Sequence, residues 1–274
     1  MKSIFVVGNQ SKPLCEDVVR ELGLKLDGKA KLVGTSFSKD VVLPDEPIDL
    51  LISLGGDGSF LNLVEKVLER EIPIMGVNFG RLGFLTAGLA VELDSIMDAF
   101  LNSETEIYDR MMLSVDIPGR EIFPRSALND VLVCAPDLGR VISLEVRVSD
   151  EPLIQFRGDG MIISTPTGST AHSLSAGGSL VDPQVEAILL TPLNSQSMSS
   201  RPFVVRPEAR MEVTISSDGG PAKAFCDGKS LGEVQPGQSV SVYRHPNRIK
   251  MVQPKSFRFM SRLADKLGWS ETLS

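Results

Sequence analysis

The chain carries two patterns of apolar residues, and the switch from one to the other divides it. Over the first hundred residues, short apolar runs are followed by stripes at helical spacing. Residues 4–7 read as a strand, after which Leu14, Val18, Val19, Leu22 and Leu26 recur on one helical face. Leu50–Leu54 is a second strand. Phe60, Leu61, Val64, Val67 and Leu68 follow at helix spacing, with Glu65, Lys66, Glu69 and Arg70 on the other side. Residues 72–77 form a third strand, and Leu89, Leu93, Ile96, Met97 and Phe100 another helical stripe. Strand and helix in alternation predict a parallel sheet covered on both faces.

After about residue 105 the period shortens to two. Leu144, Val146 and Val148 alternate with Ser143, Glu145 and Arg147, and Met211, Val213 and Ile215 with Glu212, Thr214 and Ser216. Val240 and Val242 are spaced likewise, and Gly and Pro punctuate the runs, a pattern of antiparallel β. Residues 257–269 read as a short helix that must dock somewhere, and the serine-rich stretch 195–200 as a loop. The expected fold class is therefore an α/β domain with a parallel sheet over residues 1–104, a β-rich, sandwich-like domain over 105–248, and a terminal segment over 249–274.

Composition narrows the function classes. With 274 residues, 42% of them hydrophobic, the chain can bury a real core. A net charge of −7 implies no broad basic surface, which argues against nucleic acid or an anionic membrane as the main partner. The three cysteines, Cys15, Cys134 and Cys226, are odd in number and lack metal-ligand spacing, so they read as reduced thiols of a cytoplasmic protein. The first apolar run is too short for a signal peptide, and no run approaches the roughly 20 residues that span a bilayer. Two histidines make a His-based metal site an improbable expectation.

Four segments carry candidate chemistry. The first is the corner Gly55, Gly56, Asp57, Gly58, where a strand hands over to a helix. Glycines let backbone amides approach a ligand closely, and a helix N-terminus favours an anion. The plain alternative is a tight turn with Asp57 capping the helix. Standard phosphate loops do not fit: Lys223 stands where a Walker loop ending at Gly228, Lys229 and Ser230 needs glycine, and Leu61 where a dinucleotide fingerprint from Gly56 needs it. The second segment, GDGMIISTPTGSTAHSLSAGG at 158–178, runs from a strand into seven hydroxyl side chains between Ser164 and Ser175. Hydroxyls and amides can bind a sugar–phosphate backbone without a cation. The third, with Asn129 and Asp130 opening a strand, can take ribose hydroxyls or an adenine edge, or can be a turn. The fourth, GVNFGRLGFLT at 76–86, holds three glycines and Arg81, which either meets a phosphate or is a solvated loop cation.

Together these segments resemble the NAD kinase family. The resemblance rests on GGDGSF at 55–60, GVNFGRLGFLT at 76–86, LND at 128–130 and above all the 158–178 segment. AILLTP at 187–192, RPFVV at 201–205, CDGK at 226–229 and KLGW at 266–269 also match, in order along most of the chain. Lipid kinases of the diacylglycerol type and phosphofructokinases share a GGDG-like turn but not the 158–178 segment. The resemblance implies a Rossmann-like first domain, a sandwich-like second domain, a tail returning to the first, and a site between the domains. It implies transfer of the γ-phosphoryl of ATP to the adenosine 2′-hydroxyl of NAD, with a divalent ion, expected to be Mg²⁺. Inorganic polyphosphate stays open as a donor, and homodimers or homotetramers are implied.

Carried over by motif, Asp57 is the catalytic proton acceptor and, with Gly58, contacts the dinucleotide. Asn129 and Asp130 hold NAD. Arg140, Arg157, Asp159, Thr170, Ala171, His172, Ser173, Leu174 and Ser175 match contact positions, and Lys229 a weaker one. Metal ligands are not assigned by the motifs. Three residues depart from the family pattern: Ser59 stands for the usual Thr, His172 for Tyr, and Lys229 for a frequent Gln. An imidazole at 172 can still stack on adenine and hydrogen-bond. Two other readings share these features, a lipid or sugar kinase with the same turn and a non-catalytic NAD(P)-binding sensor.

Overall fold

The computed structural model describes residues 1–12, 14–38, 40–121, 125–137, 139–218 and 220–269. Residues 270–274, the end of the expected terminal segment, lie outside the described residues. The chain divides into two units, one of Met1–Tyr108 with the chain from Lys250 onward, the other Asp109–Ile249.

The first unit is built on a seven-stranded sheet. Its order is Ala30–Ser36, Lys2–Gly8, Leu50–Leu54, Ile74–Asn78, Ile249–Pro254, Thr105–Arg110, with Thr86–Leu89 also paired to Ile74–Asn78. The pairs from Ala30–Ser36 across to Ile74–Asn78 are parallel, as are Thr86–Leu89 and Ile249–Pro254 against Ile74–Asn78. All five residues of Leu50–Leu54 are buried, which explains their unbroken apolar run: a central strand of a parallel sheet is covered on both faces. One face packs Ile4, Val6, Leu50, Ile52 and Leu54 against the apolar stripes of helices Cys15–Leu26 and Leu93–Leu101.

The stripe at 60–68 does not form one helix. It belongs to two, Asp57–Leu61 and Val64–Glu69, separated by a turn in which the Leu63 amide donates to the Phe60 carbonyl at 3.0 Å. This tightened turn keeps Phe60, Leu63 and Val64 inside together. Thr105–Arg110, where the sequence texture changes, pairs in the first sheet, and Ile249–Pro254 is inserted beside it. Neither Ala30–Ser36 nor Thr86–Leu89 announces itself by an apolar run.

The second unit is a sandwich of two six-stranded sheets. One has the order Glu151–Gly158, Ile142–Val148, Met211–Ile215, Ser239–Arg244, Leu113–Asp116, Ser126–Ala127. The other has the order Phe203–Val205, Ile188–Leu193, Gly160–Ser164, Asp130–Cys134, Ala222–Cys226, Lys229–Val234. The pairings are antiparallel. Alternate residues of both sheets, among them Leu144, Val146, Met211 and Val213 from one and Val131, Val133, Met161 and Ile163 from the other, meet in a single core. The period of two read from the sequence is this inward face. Among the described residues, no helix is long and apolar enough to cross a membrane.

Candidate functional site

In the first unit the corner after Leu50–Leu54 is a true strand-to-helix turn. Gly56, in extended conformation, is the N-cap of helix Asp57–Leu61, and no side chain caps it. Asp57 is therefore the first helical residue and does not cap its own helix. Its carboxylate reaches across to the segment 76–86, where Oδ2 accepts the Phe84 amide at 3.0 Å and Oδ1 the Leu85 amide at 3.2 Å. Gly83 makes this approach possible: a Cβ there would lie 2.0 Å from Asp57 Oδ1. The turn is braced from several sides. The Gly83 amide donates to Thr86 Oγ1 at 3.0 Å, and Asn78 Nδ2 donates to the Arg81 carbonyl at 2.6 Å while its Oδ1 accepts the Phe79 amide. Asp57 is half-buried, and Gly58 and Arg81 are exposed.

On the other side of the corner a cleft of about 640 Å³ opens, lined by residues 7–11, Phe37, Ser38, Val41, Leu54, Ser59, Asn62 and Leu63. It lies at the carboxyl ends of Lys2–Gly8 and Leu50–Leu54, the point where the strand order reverses in an open parallel sheet, and ligands of such sheets bind there. Ser59, the variant position, accepts a hydrogen bond on Oγ from Asn9 Nδ2 at 3.0 Å and thereby ties the corner to the end of the first strand.

In the second unit Asn129 and Asp130 are held by a residue that sequence reasoning left without a role. Asp227, in the CDGK stretch, accepts the amides of Leu128, Asn129 and Asp130 at 2.7, 2.8 and 3.1 Å, and its own amide donates to the Asp130 carbonyl at 3.0 Å. It adopts φ 46°, a left-handed conformation that costs a non-glycine residue energy and persists where such bonds compensate it. Burial, the dominant cause, pushes the Asp227 carboxyl up, against the smaller opposing pull of the three amides and the Lys229 charge. Asp130 is 7% exposed, and burial, then the charge of Asp227, push its carboxyl up to about 7.

In the hydroxyl-rich segment most hydroxyls find partners within the protein. Ser164, Thr165, Thr167, Ser169 and Ser173 are buried. Thr165 donates to the Leu128 carbonyl at 2.5 Å and accepts the Gly168 amide at 3.0 Å. Ser169 exchanges hydrogen bonds with the Val181 backbone, and Ser173 pairs with Thr191 at 2.9 Å. These hydroxyls build the loop. Gly168 packs so close that a Cβ would lie 2.1 Å from the Asn129 carbonyl oxygen, which seats the loop against the Asn129 and Asp130 turn. His172 and Ser175 are exposed, and Thr170, Ala171 and Leu174 half-buried.

The structure separates the remaining positions from this group. Asp130 pairs with Ser164 and Cys134 with Gly160, so Asp159 lies more than four residues along the strands, on the order of 13 Å or more from Asp130. Asp159 accepts Asn194 Nδ2 at 2.7 Å. Arg157 and Arg140 are exposed at that same end, Arg140 beside Asp137 at 3.6 Å. Lys229 opens strand Lys229–Val234 next to Asp227.

The family models of the ATP-NAD kinase N-terminal and C-terminal domains match residues 29–105 and 128–254. The NAD kinase of Legionella pneumophila (strain Corby) is 40% identical over 238 residues, covering 84% of this chain and 81% of that protein. That of Geotalea daltonii is 34% identical over 283 aligned positions, covering 99% and 100%. Among crystal structures, yeast NADH kinase complexed with NADH shares the fold at a TM-score of 0.83 and 24% identity, over 97% of this chain and 87% of that one. An NAD kinase from Archaeoglobus fulgidus in complex with ATP matches at a TM-score of 0.71 and 26% identity, over 97% and 98%.

Proposed function

The chain belongs to the NAD kinase family and is a phosphotransferase that converts NAD to NADP, and from that premise we propose that Asp57 accepts the proton of the adenosine 2′-hydroxyl as the γ-phosphoryl of ATP arrives. The observation that supports this is the grip of the Phe84 and Leu85 amides, one on each carboxylate oxygen, which leaves further lone pairs on both oxygens for a substrate hydroxyl. Phosphoryl transfer passes through a largely dissociative transition state, so positioning and charge neutralisation matter more than base strength. A carboxylate is too weak a base to deprotonate a ribose hydroxyl in advance. It orients the hydroxyl and takes its proton late.

On this reading ATP occupies the cleft beside the corner, with its phosphates along residues 55–58, and NAD is held by Asn129, Asp130 and the exposed edge of the 170–175 run. On the same proposal the exposed His172 stacks on adenine, and the Lys229 charge acts on Asp227. Among the described residues no three His, Cys, Asp or Glu side chains are grouped as a resident metal requires. That fits a divalent ion carried in on the triphosphate, with Asp57 as the carboxylate that would touch it. Such an ion, Mg²⁺ in this reading, supplies charge neutralisation between the phosphates and the carboxylate. We further propose a homo-oligomer, dimer or tetramer, in which the exposed Arg140 and Arg157, with the half-buried Asp159, complete a neighbouring chain's site, which the native mass in solution tests. The setting is cytoplasmic, where three thiols remain reduced.

The enzyme assay is direct: NAD, Mg²⁺ and either ATP or inorganic polyphosphate, with NADP read by a coupled dehydrogenase. Asp57→Asn should lower kcat by about 10²–10⁴ with little change in KM for NAD. Turnover near that of the native enzyme would remove Asp57 from the chemistry.

A further inference from the structure

The helix Phe259–Leu267 grips the turn that holds Asp57. Arg262, on that helix, is 8% exposed and donates from Nη1 to the Gly83 carbonyl at 3.2 Å and to the Thr86 carbonyl. These two carbonyls bracket the amides of Phe84 and Leu85, the pair that fixes the Asp57 carboxylate. The same helix holds the Phe84 side chain: the Phe259 ring lies 6.4 Å from it, and Lys266 Nζ stands 4.9 Å from its centre. The Arg262 guanidinium itself lies 4.6 Å from the centre of the Phe257 ring. The turn at 83–86 is thus pinned through its carbonyls on one side and presents its amides on the other.

We propose that Arg262 is a positioning residue for phosphoryl transfer, setting the place of the Asp57 carboxylate through the turn at 83–86. The assignment rests on the reading of Asp57 given above. Three features separate it from a merely structural role. A buried guanidinium is a costly way to fill space that a methionine would fill, so its charge and its fork of donors carry the reason for it. Among the described residues no carboxylate forms an ion pair with it. Burial works against its charge, and the carboxylates that favour it are Asp57 and Glu92. Arg262 therefore acts on the reaction centre twice, by fixing the donors that hold the carboxylate and by placing a positive charge behind them. Displacing a reacting group by about 1 Å costs on the order of 10²-fold in rate, which sets the scale of the effect.

The test is a double-mutant cycle read in kcat. Arg262→Met should lower kcat roughly 10- to 100-fold with KM for NAD within about twofold, and Arg262→Lys, which keeps the charge, should recover part of the loss. In an Asp57→Asn background the same replacement should change kcat by less than about twofold, because the group it positions is gone. Equal losses in both backgrounds, or full kcat in Arg262→Met, would overturn the proposal. Native-like kcat in Asp57→Asn alone would overturn the Asp57 reading, a separate result from the same set of proteins. Circular dichroism checks the fold of each variant. Should Arg262→Met not fold, Arg262→Lys in the two backgrounds decides by the same comparison.

Discussion

Asp57 in the first unit and Asp227 in the second are both half-buried carboxylates held by backbone amides from a distant part of the chain. Asp57 takes two amides, one per oxygen, from a turn 27 and 28 residues ahead. Asp227 takes three, from successive residues 97 to 99 positions behind it, and returns a fourth bond from its own amide. The difference lies in how much of the carboxylate is left over. With two amides and an open side, Asp57 can still meet a hydroxyl. With three amides and a left-handed backbone, Asp227 is a pin that gives the Asn129 and Asp130 turn its shape. On the proposed role of Asp57, the same interaction leaves a group able to react where coordination is incomplete and makes a structural one where it is not.

The sharpest way to break this contrast is to remove the pin. Asp227→Ala leaves three successive amides without their acceptor, at about 1 kcal/mol or more each. Urea denaturation should show a loss of roughly 3 kcal/mol, together with a raised KM for NAD. Full stability with a loss confined to kcat would make Asp227 a second reactive carboxylate. Next in size is Gly83→Ala, which sets a methyl group against the Asp57 carboxylate and displaces it from its two amides. We expect kcat to fall on the order of 10²-fold with a melting temperature shifted by only a few degrees. Gly168→Ala, whose methyl meets the Asn129 backbone, should by contrast lose stability and NAD binding together.

The smallest effect concerns pH. The Asp130 carboxyl is pushed up to about 7 in the folded protein, above its unfolded value, so the native state binds the extra proton between about pH 4 and 7. Its contribution is therefore fully present below the unfolded pKa and is lost as pH rises through about 7. Between pH 8 and 5.5 native stability should rise by about 2 kcal/mol, and Asp130→Asn should flatten that slope. A slope unchanged by Asp130→Asn would assign the titration elsewhere.

Much of the architecture was legible because burial leaves a local signature. The five buried residues of Leu50–Leu54 wrote themselves as an apolar run, and the sandwich wrote itself as alternation around Leu144 and Met211. The corner at 55–58 was legible as a corner, though not that Asp57 would turn away from its own helix. What escaped was pairing at long range. Asp227 lies in a short loop, and its role is visible only beside Leu128, Asn129 and Asp130. Arg262 sits in a basic, amphipathic tail, and its partners Gly83 and Thr86 are 179 and 176 residues away. The internal partners of the Ser169 and Ser173 hydroxyls escaped as well, because composition states a side chain's capacity to hydrogen-bond and not its direction. Ala30–Ser36 escaped because much of it is only half-buried at the sheet edge, so polar residues interrupt its pattern.

The strand Ile249–Pro254 lies between Ile74–Asn78 and Thr105–Arg110 in the first sheet. Its place there decides the order in which the molecule can be made. A ribosome releases residues from the N-terminus, yet the first unit lacks a strand, and the helix carrying Arg262, until residues 249–267 have emerged. The second unit is contiguous and can close its sandwich earlier. During synthesis the half-made sheet must wait with an unfilled position beside Ile74–Asn78, exposing an edge that another strand can occupy. The unit whose first strands are synthesised first is thus completed only after the contiguous second one.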